Sequence, residues 1–211
     1  MKRQSYQSRS REIVFCALSI AFITVCAWVS IPLGPIPFTL STFALLFVLF
    51  TLKSRSALVS IMGYVVLGGL GLPVFSSFKG GLAALLGPTG GFIVGFVVAA
   101  VCAIAIGKLL ERALLSSHED ADDKQTSFFG QRIARATLVQ RLVEGVVFLV
   151  VLYVFGWIWL MVSANIDPLA AFLSAVAPFM VIDFIKMLAA VLLSQAVSAA
   201  VGARSSRKVA Q

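Results

Sequence analysis

The sequence predicts an all-α integral membrane protein with six transmembrane helices in one bundle and both termini in the cytoplasm. Three observations carry that expectation. Of the 211 residues, 60% are hydrophobic and only 12% charged, with a mean hydropathy of +1.00; a soluble domain has roughly 45–50% apolar and about 25% charged residues. The apolar residues fall in runs which, at ~20 residues per crossing, leave room for up to six spans and little else. All but two of the 17 Lys and Arg residues fall on the side of the termini when the spans alternate. A soluble enzyme, a nucleic-acid binder and a separate cytosolic catalytic unit are thereby excluded, and residues 1–211 read as one transmembrane domain.

The elements follow in order. Met1 to Arg11 is basic and precedes an apolar run that reaches Ile31. No small-residue cleavage site interrupts it, so it reads as an uncleaved first helix near 12–31 rather than a signal peptide. The three prolines of Ile31-Pro-Leu-Gly-Pro-Ile-Pro37 cannot continue a helix. Short spans near 38–52 and 56–71 are split by Lys53-Ser-Arg55. A Gly/Pro-rich connection from Gly71 to Gly87 leads to a fourth span at 88–112, with Pro88 suited to its first turn. The hydrophilic stretch 116–130, holding His118, Glu119, Asp120, Asp122, Asp123 and Lys124, reads as a cytoplasmic connector to spans at 135–160 and 174–203.

Basic residues set the orientation. Lys2, Arg3, Arg9 and Arg11 precede the first span, and Lys53 and Arg55 lie between the second and third. Lys108, Arg112, Lys124, Arg132, Arg135 and Arg141 surround the polar connector, and Arg204, Arg207 and Lys208 end the chain. Cytoplasmic loops carry excess Lys and Arg, so both termini are placed inside and the net charge of +8 needs no nucleic acid. Cys16, Cys26 and Cys102 all fall in apolar runs, which argues against a disulfide framework.

The two exceptions are Lys79, in the Gly/Pro-rich connection, and Lys186, inside the last span. An ionisable residue at membrane depth is a functional hypothesis by default. Asp183 and Lys186 are three apart and share a helix face in the outer half of the last span. They offer an acceptor and a donor for a small ligand bearing both N–H and carbonyl or carboxylate groups; an internal ion pair between helices is the alternative. Arg141 and Glu144, also three apart, read as a snorkelling arginine with a neighbouring carboxylate. The row Gly87, Gly91, Gly95, Ala99, Ala103, Gly107 is a small-residue stripe for close helix packing, and Ala17 and Ala21 are a shorter one suited to docking a partner.

The stretch Gly68 to Phe92 is the densest in special backbone. Free N–H groups near Thr89 and Gly90 at a helix start favour anionic groups, and Phe75 and Phe78 can stack on a ligand or plug the membrane surface. Phosphate-loop, H-E-x-x-H, nucleophile-elbow and Cys/His metal patterns are missing from the sequence. The expectation is a non-enzyme with no cofactor and no metal site.

GGLGLPVFSSFKGGLAALLGPTGGF (68–92), with IPLGPIPFTLSTFALL (31–46) before it and PFMVIDFIKMLAA (178–190) after it, resembles the BioY family over nearly the whole chain. These are the biotin-specific substrate-binding S components of energy-coupling-factor (ECF) vitamin transporters. The resemblance implies a six-helix bundle in a prokaryotic cytoplasmic membrane, binding biotin near its outer face. It implies Asp183 and Lys186 as ligand contacts, to which the reading of the residues themselves adds Phe75, Lys79, Gly80, Gly81, Thr89 and Gly90 as candidates around the outer loop. It also implies that Ala17 and Ala21 dock a transmembrane coupling subunit, that cytoplasmic ATPases drive transport, and that a homo-oligomer is a further possible assembly. The scaffold alone leaves two alternatives: an S component for thiamine or riboflavin, and a structural membrane protein that transports nothing.

Overall fold

The computed structural model describes residues 2–32, 36–116 and 126–209. Helix α1 (Lys2–Trp28) leads into a two-stranded antiparallel hairpin, β1 (Ser30–Ile31) and β2 (Phe38–Thr39), with Ser30 opposite Thr39 and Ile31 opposite Phe38. Helices α2 (Ser41–Thr51) and α3 (Ser54–Gly69) follow, separated by Leu52 and Lys53. A 3-10 turn (Ser76–Phe78) and the short α4 (Leu82–Leu86) precede α5 (Gly90–Ser116). Helices α6 (Thr126–Ala164), α7 (Pro168–Ala175) and α8 (Ala177–Val209) complete the all-helical fold.

Four segments are long and apolar enough to cross a membrane: Ser10–Trp28, Gly90–Ala113, Leu138–Ala164 and Pro168–Ala200. Less than half of each is buried in the protein, leaving apolar faces that suit lipid rather than water. Of the remaining two expected spans, the second is shorter than expected and the third keeps its expected length of 16 residues. At 11 and 16 residues, α2 and α3 extend about 16 and 24 Å, against ~30 Å for the hydrocarbon core. Helix α2 is an interior element, with Ala44, Leu45, Leu46, Val48, Leu49 and Phe50 all buried.

Other boundaries shift for local reasons. Phe38 and Thr39, expected in the second span, are extended, because Pro37 ends the proline-rich turn and the pair hydrogen-bonds across to β1. Residues 117–125 of the expected polar connector lie outside the described residues, but Ser116 closes α5 and Thr126 to Gly130 already belong to α6. Gln, Arg and Ala in 131–136 are good helix formers and carry α6 beyond its apolar part. The last apolar segment is broken into α7 and α8. Asp167 caps α7, accepting from the Leu169 N–H at 2.9 Å, and Pro168 occupies its first turn. Pro178 then cannot donate into a continued helix, so α8 starts afresh around it.

Lipid supplies no hydrophobic drive between helices, so close packing of small residues holds the bundle together. The α5–α6 interface is the most extensive. Gly91 lies under Trp159 and the Phe155 carbonyl, Gly95 under Phe155 and Leu152, and Gly107 under Glu144. Gly156 of α6 reciprocates, lying under Phe92. Ala99 and Ala103 are fully buried, so the small-residue stripe faces inward along its length.

Candidate binding site

Helix α8 has two faces. Phe179, Asp183, Lys186, Met187, Ala190 and Val191 are buried, while Val181, Ile182, Phe184, Ile185, Leu188 and Leu192 are exposed. This 3.6-residue period turns both charged side chains into the bundle. The Lys186 Nζ donates to Asp183 Oδ1 at 2.7 Å, the one ion pair among the described residues, with Asp183 only 5% and Lys186 only 7% exposed. The same ammonium donates to the Thr39 carbonyl at 2.6 Å and sits 4.0 Å from the centre of the Phe38 ring. The Tyr153 hydroxyl of α6 donates to Asp183 Oδ2 at 2.8 Å.

Taking two charges out of water is expensive, and this one pair is supported by a carbonyl, a phenol and an aromatic face. Each Asp183 oxygen has one protein donor. A carboxylate offers about four lone-pair sites, so both oxygens can still accept from a ligand. The β-hairpin thus has a definite task, since β2 brings the Thr39 carbonyl and the Phe38 ring onto Lys186.

The pair faces a cavity that is open at its mouth. Thr39, Ser41, Tyr153, Asp183 and Lys186 make its polar side, and Phe92, Ile93, Phe96, Leu152 and Phe179 an apolar one. Tyr64 and Thr42 line a further wall, while Phe75, Ser76 and Thr89 come from the capping region. Ser41 and Thr39 share a hydroxyl–hydroxyl hydrogen bond of 2.5 Å beside Lys186.

Two indoles fasten the cap and a third ties α6 to α7. Trp28 donates to the Pro73 carbonyl at 2.8 Å, Trp159 to that of Gly87 at 2.9 Å and Trp157 to that of Pro168 at 2.9 Å. Phe78 packs against Trp28 with ring centres 4.8 Å apart, outside the cavity. Ser77 and Phe78 both adopt positive φ, 56° and 58°, to fold the turn back so that the Phe75 N–H reaches the Lys79 carbonyl at 3.0 Å.

Of the residues singled out in the sequence, the structure brings Asp183, Lys186, Phe75 and Thr89 to the cavity wall. Lys79, Gly80, Gly81 and Gly90 are not in that wall. Lys79 is exposed. Gly80 lies so close to the Leu72 carbonyl that no Cβ fits, and Gly90 is equally close to that of Leu85. Gly81 takes φ +83° and donates to the Gly68 carbonyl at 2.6 Å. These three glycines shape the cap rather than touch the cavity. Ala17 and Ala21 lie on an exposed face of α1, away from the site.

Arg141 and Glu144 also lie elsewhere. Arg141 donates to Ser194 Oγ at 3.0 Å, and Glu144 accepts from Gln140 Nε2 at 3.0 Å. The sequence reading did not single out Tyr153, Tyr64, Thr42 or the Thr39 carbonyl. A tyrosine in an apolar span is a usable signal, because a buried phenol usually finds a partner.

The BioY family profile matches residues 1–203. A probable biotin transporter BioY of Pyrococcus horikoshii is 33% identical over 187 residues, covering 89% of this chain and 96% of the relative. The biotin transporter BioY of Rhizobium etli is 32% identical over 192 residues, with 89% and 93% covered. The fold is similar to the crystal structure of the S-component for biotin from an ECF-type ABC transporter. That likeness has a TM-score of 0.69 at 25% identity, covering 91% of this chain and 93% of the other. With a profile match that runs through all eight helices and both halves of the cavity wall, the chain belongs to the BioY family.

Proposed function

We propose that this protein is the biotin-binding S component of an ECF-type uptake transporter. The observation that carries the reading is the buried Tyr153–Asp183–Lys186 array facing a cavity that is polar on one side and aromatic on the other. Biotin's cyclic urea presents two N–H donors and one carbonyl acceptor. Asp183 retains lone pairs for the donors, and the Lys186 ammonium can meet the carbonyl. The apolar side, with Phe92, Phe96 and Phe179, suits the sulfur-containing ring and aliphatic chain.

In this reading the bundle makes six passes of the cytoplasmic membrane, the short α2 and α3 being two of them. Both termini are inside, and the cavity end of the bundle is outside. The chain carries no phosphate-loop sequence, so energy comes from partner ATPases through a transmembrane coupling subunit.

Calorimetric titration of the purified, detergent-solubilised protein with biotin tests the reading. Saturable binding is expected, weakened at least tenfold by Asp183→Asn, which places amide hydrogens where the urea N–H groups need an acceptor. A folded wild-type protein that binds thiamine or riboflavin instead overturns the biotin assignment. One that binds none of the three favours the non-transporting alternative.

A further inference from the structure

Tyr64, in the middle of α3, is 2% exposed and lines the cavity. Its ring is fixed edge-on against Phe75, with centres 5.4 Å apart. Its hydroxyl has no hydrogen-bond partner among the described residues, and it is not sealed in the interior. The one sealed, unpaired side-chain oxygen among them is Thr51 Oγ1. The Tyr64 hydroxyl therefore opens onto the cavity. Thr42 of α2 shows the same combination: it is 7% exposed, it lines the cavity, and its hydroxyl is unpaired among the described residues. Neighbouring groups behave differently. Tyr153 is committed to Asp183, and Ser41 to Thr39.

A buried hydroxyl without a partner is less favourable than the apolar side chain of the same shape. Two such groups on one cavity point to a ligand that supplies what the protein does not. Resting on the biotin reading above, we infer that Tyr64 and Thr42 are the second polar anchor of the site and donate hydrogen bonds to the carboxylate of the ligand.

Charge and placement select the carboxylate. Among the described residues, Asp183 and Lys186 are the only charged side chains in the cavity wall, and they neutralise one another at 2.7 Å. They complement a cyclic urea, which leaves the carboxylate as the unmatched end of biotin. With no uncommitted cation in the wall, that end is met by neutral donors, and hydrogen bonds to an ionised acceptor are about twice as strong as neutral ones. Helix α3 packs chiefly on α1 and α5, whereas α8 packs on α2, α6 and α7, so Tyr64 and Asp183 approach the cavity from different walls, and Thr42 lies on α2, which touches both α3 and α8. The ligand lies across the cavity between them.

The test compares Tyr64→Phe and Thr42→Val with wild type, using purified full-length protein in detergent. Both substitutions keep shape and remove the hydroxyl. Calorimetry is expected to show about a tenfold loss of biotin affinity for Tyr64→Phe and a smaller loss for Thr42→Val. The loss is expected to shrink to about threefold or less for biotin methyl ester, whose neutral oxygens are weaker acceptors. The ligand-free variants are expected to melt no lower than wild type, because no protein–protein bond has been removed.

Unchanged biotin affinity in both variants overturns the inference. Equal losses for biotin and its ester also overturn it, moving the hydroxyls to the ring end. A lowered melting temperature of ligand-free Tyr64→Phe makes the hydroxyl structural and overturns it as well. A folded wild-type protein that fails to bind biotin overturns instead the functional reading on which the inference rests.

Discussion

Asp183 and Lys186 each have a second protein partner, Tyr153 for the carboxylate and the Thr39 carbonyl for the ammonium. Removing either member therefore leaves the other desolvated with one partner instead of two. Breaking a buried pair in this way costs about 3–5 kcal/mol, whereas replacing both members by apolar groups is often near neutral. Lys186→Met and Asp183→Leu are each expected to lower the melting temperature of the ligand-free protein, and the double variant is expected to lie closer to wild type than either. Thermal unfolding of the four proteins in one detergent decides this. A double variant that melts below both singles means that the pair contributes net stability, and its presence then needs no ligand. This pair was legible in the sequence because charge stands out against an apolar run. Tyr64 and Tyr153 were not, since an aromatic in such a run has the same pattern whether it fills a core or faces a cavity. Their roles depend on which hydroxyl has a partner, and that is decided by packing between helices distant in sequence.

At the scale of elements, hydropathy located every long helix but not the breaks within apolar stretches. Two-residue strands such as β1 and β2 carry no periodicity to detect. Helix α7 falls largely in the stretch left between the expected spans at 135–160 and 174–203, although Asp167-Pro168 is a helix start written in the sequence. Helix α2 is shorter than its apolar run because the residues before it are spent on the hairpin that reaches Lys186. The small-residue stripe on α5 was readable, and its consequences can be separated from those of other helical glycines. A Cβ at Gly91 meets the Trp159 side chain and, at 2.8 Å, the Phe155 carbonyl, which is backbone inside α6. A Cβ at Gly63 meets only Ile20 Cδ1 at 2.9 Å, the far end of a flexible side chain. Gly91→Ala is accordingly expected to destabilise the protein by about 1–3 kcal/mol through overpacking. Gly63→Ala is expected to be near neutral, its small clash offset by the ~1 kcal/mol gain in helix propensity. Unfolding midpoints measured side by side check the contrast. Equal losses at the two positions mean that α6 yields as readily as an isoleucine rotamer.

For the whole molecule, the informative surface is that of α1. Its spanning segment is the least enclosed of the four, with 22% of it buried, and Ile20, Ile23, Thr24 and Ala27 turn inward while Ala17, Ala21 and Val25 share an exposed face. Small residues one turn apart favour close approach of another helix, and lipid contact alone does not call for them. Within this protein nothing in the described residues covers that face, whereas Gly91, Gly95 and Gly107 of the stripe on α5 lie directly against α6. The face is remote from Asp183, so docking and ligand binding are expected to separate. Ala17→Trp with Ala21→Trp is expected to leave biotin affinity in detergent within about twofold of wild type, because the change lies outside the cavity wall. The same variant, co-expressed with a coupling subunit and its ATPases, is expected neither to co-purify with them nor to support biotin uptake. Uptake at wild-type level by the double variant would exclude this face of α1 as the docking surface. Loss of binding together with uptake would instead show that α1 and the cavity move as one unit, through Ala27 and the Trp28–Pro73 hydrogen bond at the C-terminal end of the helix.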